Sequence, residues 1–497
     1  MRHHTFCFFC MVMLWPGLAP LFAQTVFSEK ALDYKKAMLP YDMPYTIGLP
    51  DKQFVMLQEL KKNTMKLGRY DQYFFEKWEK EIEFEKNESV PQLFLRGDSL
   101  ISFVFTPRIA KQELSLSFRY FDLQSGEELA PTNYVIALAT EDKKMPRLAF
   151  SQDHSKFVVY NYKAKKESSS LLDFEVFELG KETPLHQYQI EADKLAPPLE
   201  YAVHLSPAGD LLVVAADATN FNTQTYFWGA KTEGITQIDN TFFFERPAGR
   251  IQAIDIVQQG ASSYFVTLAA AIDEELIGFN ITGINVVLKS IMFTYNQNFK
   301  KEEITAAYEG GVVTSEKQKK KLLEIPESLD NFRLMQSMEN DEKDVILIFE
   351  ELDVMTDFHQ NETHSLMPWK FKSKNEKYHY GGDLLLYCFT ESGLLKWKKA
   401  VQKSQYSLGN SLGLSYIPSM EKNQLRLLVS ENSKGGNIYI FDINTIDGTV
   451  SSKTNLLPDH SVELVKKYSC WLQSQAVVVC GISPVNASKR TLMLVEF

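Results

Sequence analysis

Gly409, Ser411 and Gly413 satisfy the G-x-S-x-G spacing of a serine nucleophile, the sharpest catalytic match in the chain. In a serine hydrolase that spacing works because a strained strand-to-helix turn lifts the hydroxyl toward an oxyanion hole. Here the continuation Leu414-Ser415-Tyr416-Ile417-Pro418 has the composition of a strand, and His460 is the only histidine downstream that could act as its base. The expected role is a glycine-flanked entry into a strand.

The densest group of metal-ligand side chains is His359, Glu362 and His364, with Asp357 before them and His379 beyond. Zinc needs imidazole and carboxylate groups converging on one tetrahedron, and this H-x-x-E-x-H order is neither of the helical zinc-protease patterns. It reads as a polar insertion, and no metal is expected. Arg96-Gly97-Asp98 has the form of a cell-adhesion tripeptide, but Gly-Asp is also what a tight turn between strands demands. Asp442, Asn444 and Asp447 before Gly448 miss the alternating ligand spacing of a calcium loop and are expected to cap a hairpin. There is neither a Walker-type phosphate loop nor a dinucleotide fingerprint, so no cofactor is expected. Trp228, Trp369, Trp397 and the run Phe242-Phe243-Phe244 could line a sugar- or peptide-binding surface, although aromatics at strand positions more often pack inside. Trp369 and Tyr378 lie in a polar stretch where packing explains them least, and they are the residues expected to contact a partner.

The elements that would position these residues follow from a recurring two-part strand unit. One half is a turn followed by a β-branched or aromatic run, starting at Ile47, Leu95, Phe150, Leu205, Ile256, Met335, Ile417 and Leu472. The other is an aromatic strand closing on a Gly or polar turn, as in RYFDLQSGEEL from Arg119 and LYCFTESGLLKW from Leu386. A period of roughly 50 residues made of strands alone is the signature of a β-propeller with one four-stranded blade per repeat. Successive anchors are 48, 55, 55, 51, 79, 82 and 55 residues apart. The predicted fold is therefore all-β, a propeller of seven or eight blades, with insertions at about 280–330 and 353–380. The first insertion is charged and partly helical in pattern. The run Lys317 to Lys321, interleaved with glutamates, reads as a solvated face. The last repeat supplies only three strands, and the segment around Thr25 to Leu32 is expected to add the fourth and latch the ring.

The first residues read as a secretory signal peptide: Arg2, His3 and His4, then an apolar core from Phe6 to Leu14, then small residues at Ala19 and Ala23. Residues 1–23 are expected to be removed, with 24–497 forming a single domain that is secreted or periplasmic. The chain carries 53 Lys+Arg against 63 Asp+Glu, a formal net charge of −10. That balance disfavours nucleic acid as a partner, and no later stretch reaches the ~20 apolar residues of a membrane span. Cys470 and Cys480 flank an expected turn, so a disulfide is open to them, while Cys388, Cys470 and Cys480 all also read as small buried apolar side chains.

The runs Ile47 to Phe84 and GGDLLLYCFTESGLLKWKKAVQKSQYS from Gly381 resemble a family of uncharacterised secreted propeller-like proteins of Gram-negative bacteria. The likeness rests on Gly393, Trp397, Lys403 and Gln405, and the blade grammar is similar to that of WD-repeat and quinoprotein-type propellers. The resemblance implies a fold and carries no activity with it. The expected function is a non-catalytic binding module for a protein or cell-envelope component. The alternative is a propeller hydrolase or lyase acting on envelope glycans or peptides.

Overall fold

A computed structural model describes residues 25–33, 45–61, 64–83, 89–108, 113–137, 147–166, 169–192, 199–217, 225–231, 234–238, 250–260, 262–272, 275–309, 312–313, 326–355, 378–408, 416–431, 437–456, 463–473, 475–482 and 489–496. The strands assemble into eight antiparallel sheets, each the blade of a β-propeller. Blades 1 to 7 occupy residues 46–83, 89–137, 147–192, 199–238, 250–298, 332–402 and 416–455. Each runs outward from an inner first strand to an outer fourth. Blade 8 combines Cys470–Gln473, Ala476–Ile482 and Lys489–Glu496 with the N-terminal strand Thr25–Asp33. Thr25 pairs with Glu496 and Asp33 with Lys489, so an early and a late strand of the chain close the ring in one sheet. This is the latch expected from the three-strand last repeat, and the count is eight because the first repeat is a whole blade.

The nearly continuous apolar runs are second and third strands, buried on both faces because each blade is covered by two neighbours. In blade 6, for example, Val345, Leu347 and Phe349 pack toward blade 5, while Ile346 and Ile348 pack toward blade 7. Apolar clusters fill every interface around the ring. One joins blades 8, 1 and 2, and six more bridge blades 2–3, 3–4, 4–5, 5–6, 6–7 and 7–8. No blade owns a core of its own. Stability is therefore shared between neighbours, as in other repeat architectures.

Aromatic side chains on outer strands lock successive blades. The Trp78 indole N–H of blade 1 donates to Leu123 O of blade 2 at 3.0 Å, and that of Trp397 in blade 6 to Thr445 O of blade 7 at 2.8 Å. Each ring lies over a turn glycine of the receiving blade, Gly126 (φ 70°) or Gly448 (φ 71°), where a side chain would meet both a strained backbone and the indole. Trp397 and Trp228 are thus packing residues, only 7% and 6% exposed.

Alternation of antiparallel strands puts the loops on two faces. The turns joining first to second and third to fourth strands lie on one, the turn face. Connections between second and third strands, and from blade to blade, lie on the other. Two long segments both leave on this second face at blade 6. Residues 299–331 lead from the outer strand of blade 5 to the inner strand of blade 6, and residues 356–377 join the second and third strands of blade 6. Blade 5 strands continue to Asn298, so the first extra segment begins later than position 280. No helix among the described residues is long and apolar enough to cross a membrane.

Candidate functional site: the insertion face of blade 6

Residues 299–331 are anchored before they depart. Phe299 N donates to Ile277 O, Leu276 N to Leu329 O, and Leu352 N to Asn331 O. Between these ties the helix Lys301–Glu309 lies against blade 6. It buries Ile304, Ala307 and Tyr308 in the cluster between blades 5 and 6, and Glu303 forms an ion pair with Lys398 on the outer strand. Val312–Val313 then pairs in parallel with Val401 and Gln402, adding a strand beyond the blade's outer edge.

Under this cover sits a cluster of ionisable side chains. Lys403 Nζ donates to Glu350 Oε1 at 2.7 Å and to Gln405 Oε1 at 2.8 Å, with both charged side chains 0% exposed. The Lys403 backbone N–H donates to Asp383 Oδ1 at 3.1 Å, and the Tyr308 hydroxyl donates to Asp383 Oδ2 at 2.8 Å. Asp383 N donates to Glu351 Oε2 at 3.3 Å. Gly381 and Gly382 make the crowding possible: a Cβ at Gly381 would stand 3.0 Å from Gln405 Oε1, and one at Gly382 would overlap the Glu351 carboxylate. Gly-Gly-Asp is therefore a close-approach motif.

Burial governs the electrostatics. Desolvation, opposed by the Tyr308 and Lys403 hydrogen bonds, raises Asp383 to about 6. Desolvation and then the Asp383 charge raise Glu351 to about 7. Tyr308 is pushed well above its ordinary value by burial and by Asp383. On the neighbouring blade Tyr416 is raised as well, by burial and then by Glu350 and Asp255. The cluster can thus hold or release protons near neutrality. Its groups are satisfied mainly by one another.

Lys403 and Gln405, singled out through the family resemblance, are central to the cluster. Glu350, Glu351, Asp383 and Tyr308 escaped the sequence reading because 63 acidic residues offer too many pairs. The Gly381-Gly382-Asp383 triplet was the available signal. Of the two expected contact residues, Tyr378 starts the third strand of blade 6, in register with Met355 and Leu408. Trp369 lies outside the described residues, as do Asp357, His359, Glu362, His364, His460, Phe242-Phe243-Phe244 and the G-x-S-x-G segment. Among the described residues no three metal-ligating side chains converge.

The remaining motifs fall at turns and in packed strands. Gly97 (φ 56°) and Asp98 form the turn between Ser89–Arg96 and Ser99–Arg108. Asp442 Oδ1 accepts from Arg426 Nε at 2.7 Å, while Asn444 and Asp447 accept from the backbone of Ile446 and Thr449 within their hairpin. The three cysteines are buried thiols. Cys470 is in register with Val478, two residues from Cys480 on the paired strand, and the two are not bridged.

No family model matches the chain, and no curated protein matches it. Among solved structures it is similar to the polysaccharide lyase Uly1, at 8% identity over 81% of this chain and 89% of that one, with a TM-score of 0.35. It is also similar to the WD40 domain of SCAP from fission yeast, at 9% identity over 91% and 94%, TM-score 0.34. A third is a quinohemoprotein alcohol dehydrogenase from Pseudomonas putida, at 8% identity over 94% and 75%, TM-score 0.44.

Proposed function

We propose that this protein is an exported, non-catalytic binding module that engages a protein or cell-envelope component through the insertion face of blade 6. One observation carries this reading: the two segments that exceed the blade pattern, 299–331 and 356–377, leave the same face of the same blade. Insertions in repeat architectures collect on the binding face, where loops vary without cost to the ring. The buried cluster serves as the footing. Its ion pair and hydrogen bonds fix the helix Lys301–Glu309 and the ends of the long hairpin, a rigid base for contact residues such as Trp369 and Tyr378. The signal-like N-terminus and the resemblance to secreted propellers supply the setting.

The second reading, a hydrolase or lyase, draws on Glu351, whose value of about 7 is that of a general acid–base. Against it, the groups around Glu351 are closed off, Asp383 being only 9% exposed and Glu350 and Lys403 not at all, which leaves the half-buried Glu351 without a second exposed acid or base from this cluster. The test is affinity capture from the native envelope fraction with the full chain and with residues 356–377 replaced by a short Gly-Ser turn. Partner recovery should fall sharply with the replacement. Equal recovery from both chains would refute the assignment.

A further inference from the structure

On the opposite face, a cavity of about 590 Å³ opens between blades 5 and 6. Its walls are turns and strand ends: Gln259 and Phe265, Met292 and Phe293, Glu342 and Asp344, and the turn Thr390–Glu391–Ser392. The volume falls within the range of pockets that take small ligands.

Gln259 is the informative residue. Four consecutive blades close the first-to-second-strand turn with a backbone bond of the same sense, Ser206 N to Asp210 O, Gln259 N to Ser263 O and Asn340 N to Asp344 O, and, in a turn one residue longer, Ser151 N to Lys156 O. In three of them the first side chain caps its own turn. Ser151 Oγ accepts from Lys156 N, Ser206 Oγ from Asp210 N, and Asn340 Oδ1 from Asp344 N. In blade 5 that task is not performed. Among the described residues, both Oε1 and Nε2 of Gln259 lack a hydrogen-bond partner, although the residue is only 6% exposed. A buried carboxamide left unpaired is costly, so a ligand that pairs with it recovers that cost on binding.

The surroundings define what would pair. A carboxamide offers an acceptor and donors side by side, the complement of a peptide amide. Phe265 and Phe293 give an apolar floor, and Met292, 46% exposed, stands at its edge. Three carboxylates line the cavity, Glu342 and Glu391 exposed at its mouth and Asp344 buried behind them. Glu342 and Asp344 share Lys396, at 3.2 and 2.6 Å, and Asn423 and Asn340 also contact them. Glu391 makes no hydrogen bond or salt bridge among the described residues. The nearby Lys343 is engaged by Glu339. Three acids against one shared lysine leave the mouth negative.

We propose that this cavity binds a basic residue of a peptide, with its main-chain amide on Gln259, its methylene stem over the aromatic floor and its cationic head at Glu391. The test is calorimetric titration of the full chain with N-acetyl-lysine methylamide and N-acetyl-arginine methylamide. Agmatine serves as a cation without the peptide amide, and N-acetyl-norleucine methylamide as an uncharged stem. Saturable binding of the capped basic residues, stronger than either control, is expected. Glu391→Gln at an exposed position should weaken it about two- to five-fold. Gln259→Ser installs the residue that blade 4 uses to cap this turn, and should erase the advantage of the capped residues over agmatine, a loss of about five- to ten-fold. Absence of saturable binding, norleucine binding equal to lysine, or affinity unchanged in both variants would overturn the proposal. Agmatine binding as tightly as capped arginine to the intact chain would refute the peptide source in favour of a free organic cation.

Discussion

Lys403 is held where a charge is costly, and the cost depends on its partner. Removing one member of a fully buried ion pair leaves the other desolvated and unpaired, typically destabilising by about 3–5 kcal/mol, whereas replacing both with apolar groups is often neutral. Lys403→Met should therefore lower unfolding free energy by about that amount, and the Lys403→Met/Glu350→Leu double variant should recover most of it. Chemical denaturation of the two variants measures the difference, and equal losses would show that Glu350 does not depend on Lys403. Glu351 carries a second prediction. Its folded value of about 7 and that of about 6 for Asp383 lie above the ordinary carboxylate range. Between that range and about 7 the folded chain binds more protons than the unfolded, so this contribution falls as pH rises and levels off above. Glu351→Gln removes one such group while Asp383, Asp353 and Lys403 remain around it. Its unfolding free energy should gain on the parent between pH 5 and pH 8, by up to ~1.4 kcal/mol per pH unit within the window, read as a rising difference in melting temperature. A constant gap across that range would show that Glu351 titrates normally. Little of this was legible beforehand. Lys403 and Gln405 stood out as a motif, but their acidic partners come from a different strand, and only blade register brings Glu350 opposite Leu384 and beneath Lys403.

At the scale of the element, the blade was readable and its insertions were less so. Period-two apolar runs at a spacing near 50 residues have few other solutions, so strands and turns follow from local chemistry. The two long spacings look like separate blades carrying separate loops, because a step measured between anchors cannot say on which side of a strand the extra residues lie. In the structure, 299–331 precede the inner strand Phe332–Glu339 and 356–377 follow the second strand Val345–Met355, so both serve one blade. The aromatic dock was half legible: Gly393 and Trp397 were recognised as a pair, but Trp397 lies over Gly448 of the next blade, while Phe293 of blade 5 occupies Gly393. The dock gives a direct prediction. Gly448→Ala places a Cβ 2.8 Å from the Trp397 ring on a backbone with φ of 71°. A loss of about 1–3 kcal/mol is expected, accompanied by a change in Trp397 fluorescence. Gly180→Ala is the control, since its φ is also positive but its Cβ would meet nothing. If both substitutions cost the same, the penalty is backbone strain and the dock contributes nothing.

At the scale of the whole molecule, closure decides how the ring fails. Each interface cluster is built from two or three blades, and the one that joins blades 8, 1 and 2 contains Leu492 and Leu494 from the final strand. Lys52 of blade 1 also reaches Glu496 at 2.7 Å, across the seam. Deleting residues 491–497 would remove Leu492, Met493, Leu494 and Val495 from two interfaces and leave Thr25–Asp33 without its partner strand. Each of those four side chains is 1% exposed or less, and burial of such a side chain contributes about 1.5–3 kcal/mol. Their summed loss rivals the whole stability of an ordinary domain. In an open array of repeats the damage would stay near the end, and the far blades would melt almost as before. In a closed ring, blades 1 and 8 lose each other as neighbours, and each then exposes a face that nothing else can cover. The expected outcome is a large drop in melting temperature with one cooperative transition, read alike by calorimetry and by the fluorescence of Trp228 on the far side of the ring. A truncated chain with two separate transitions, the Trp228 signal melting at its original temperature, would mean that the blades hold themselves and that closure is ornamental.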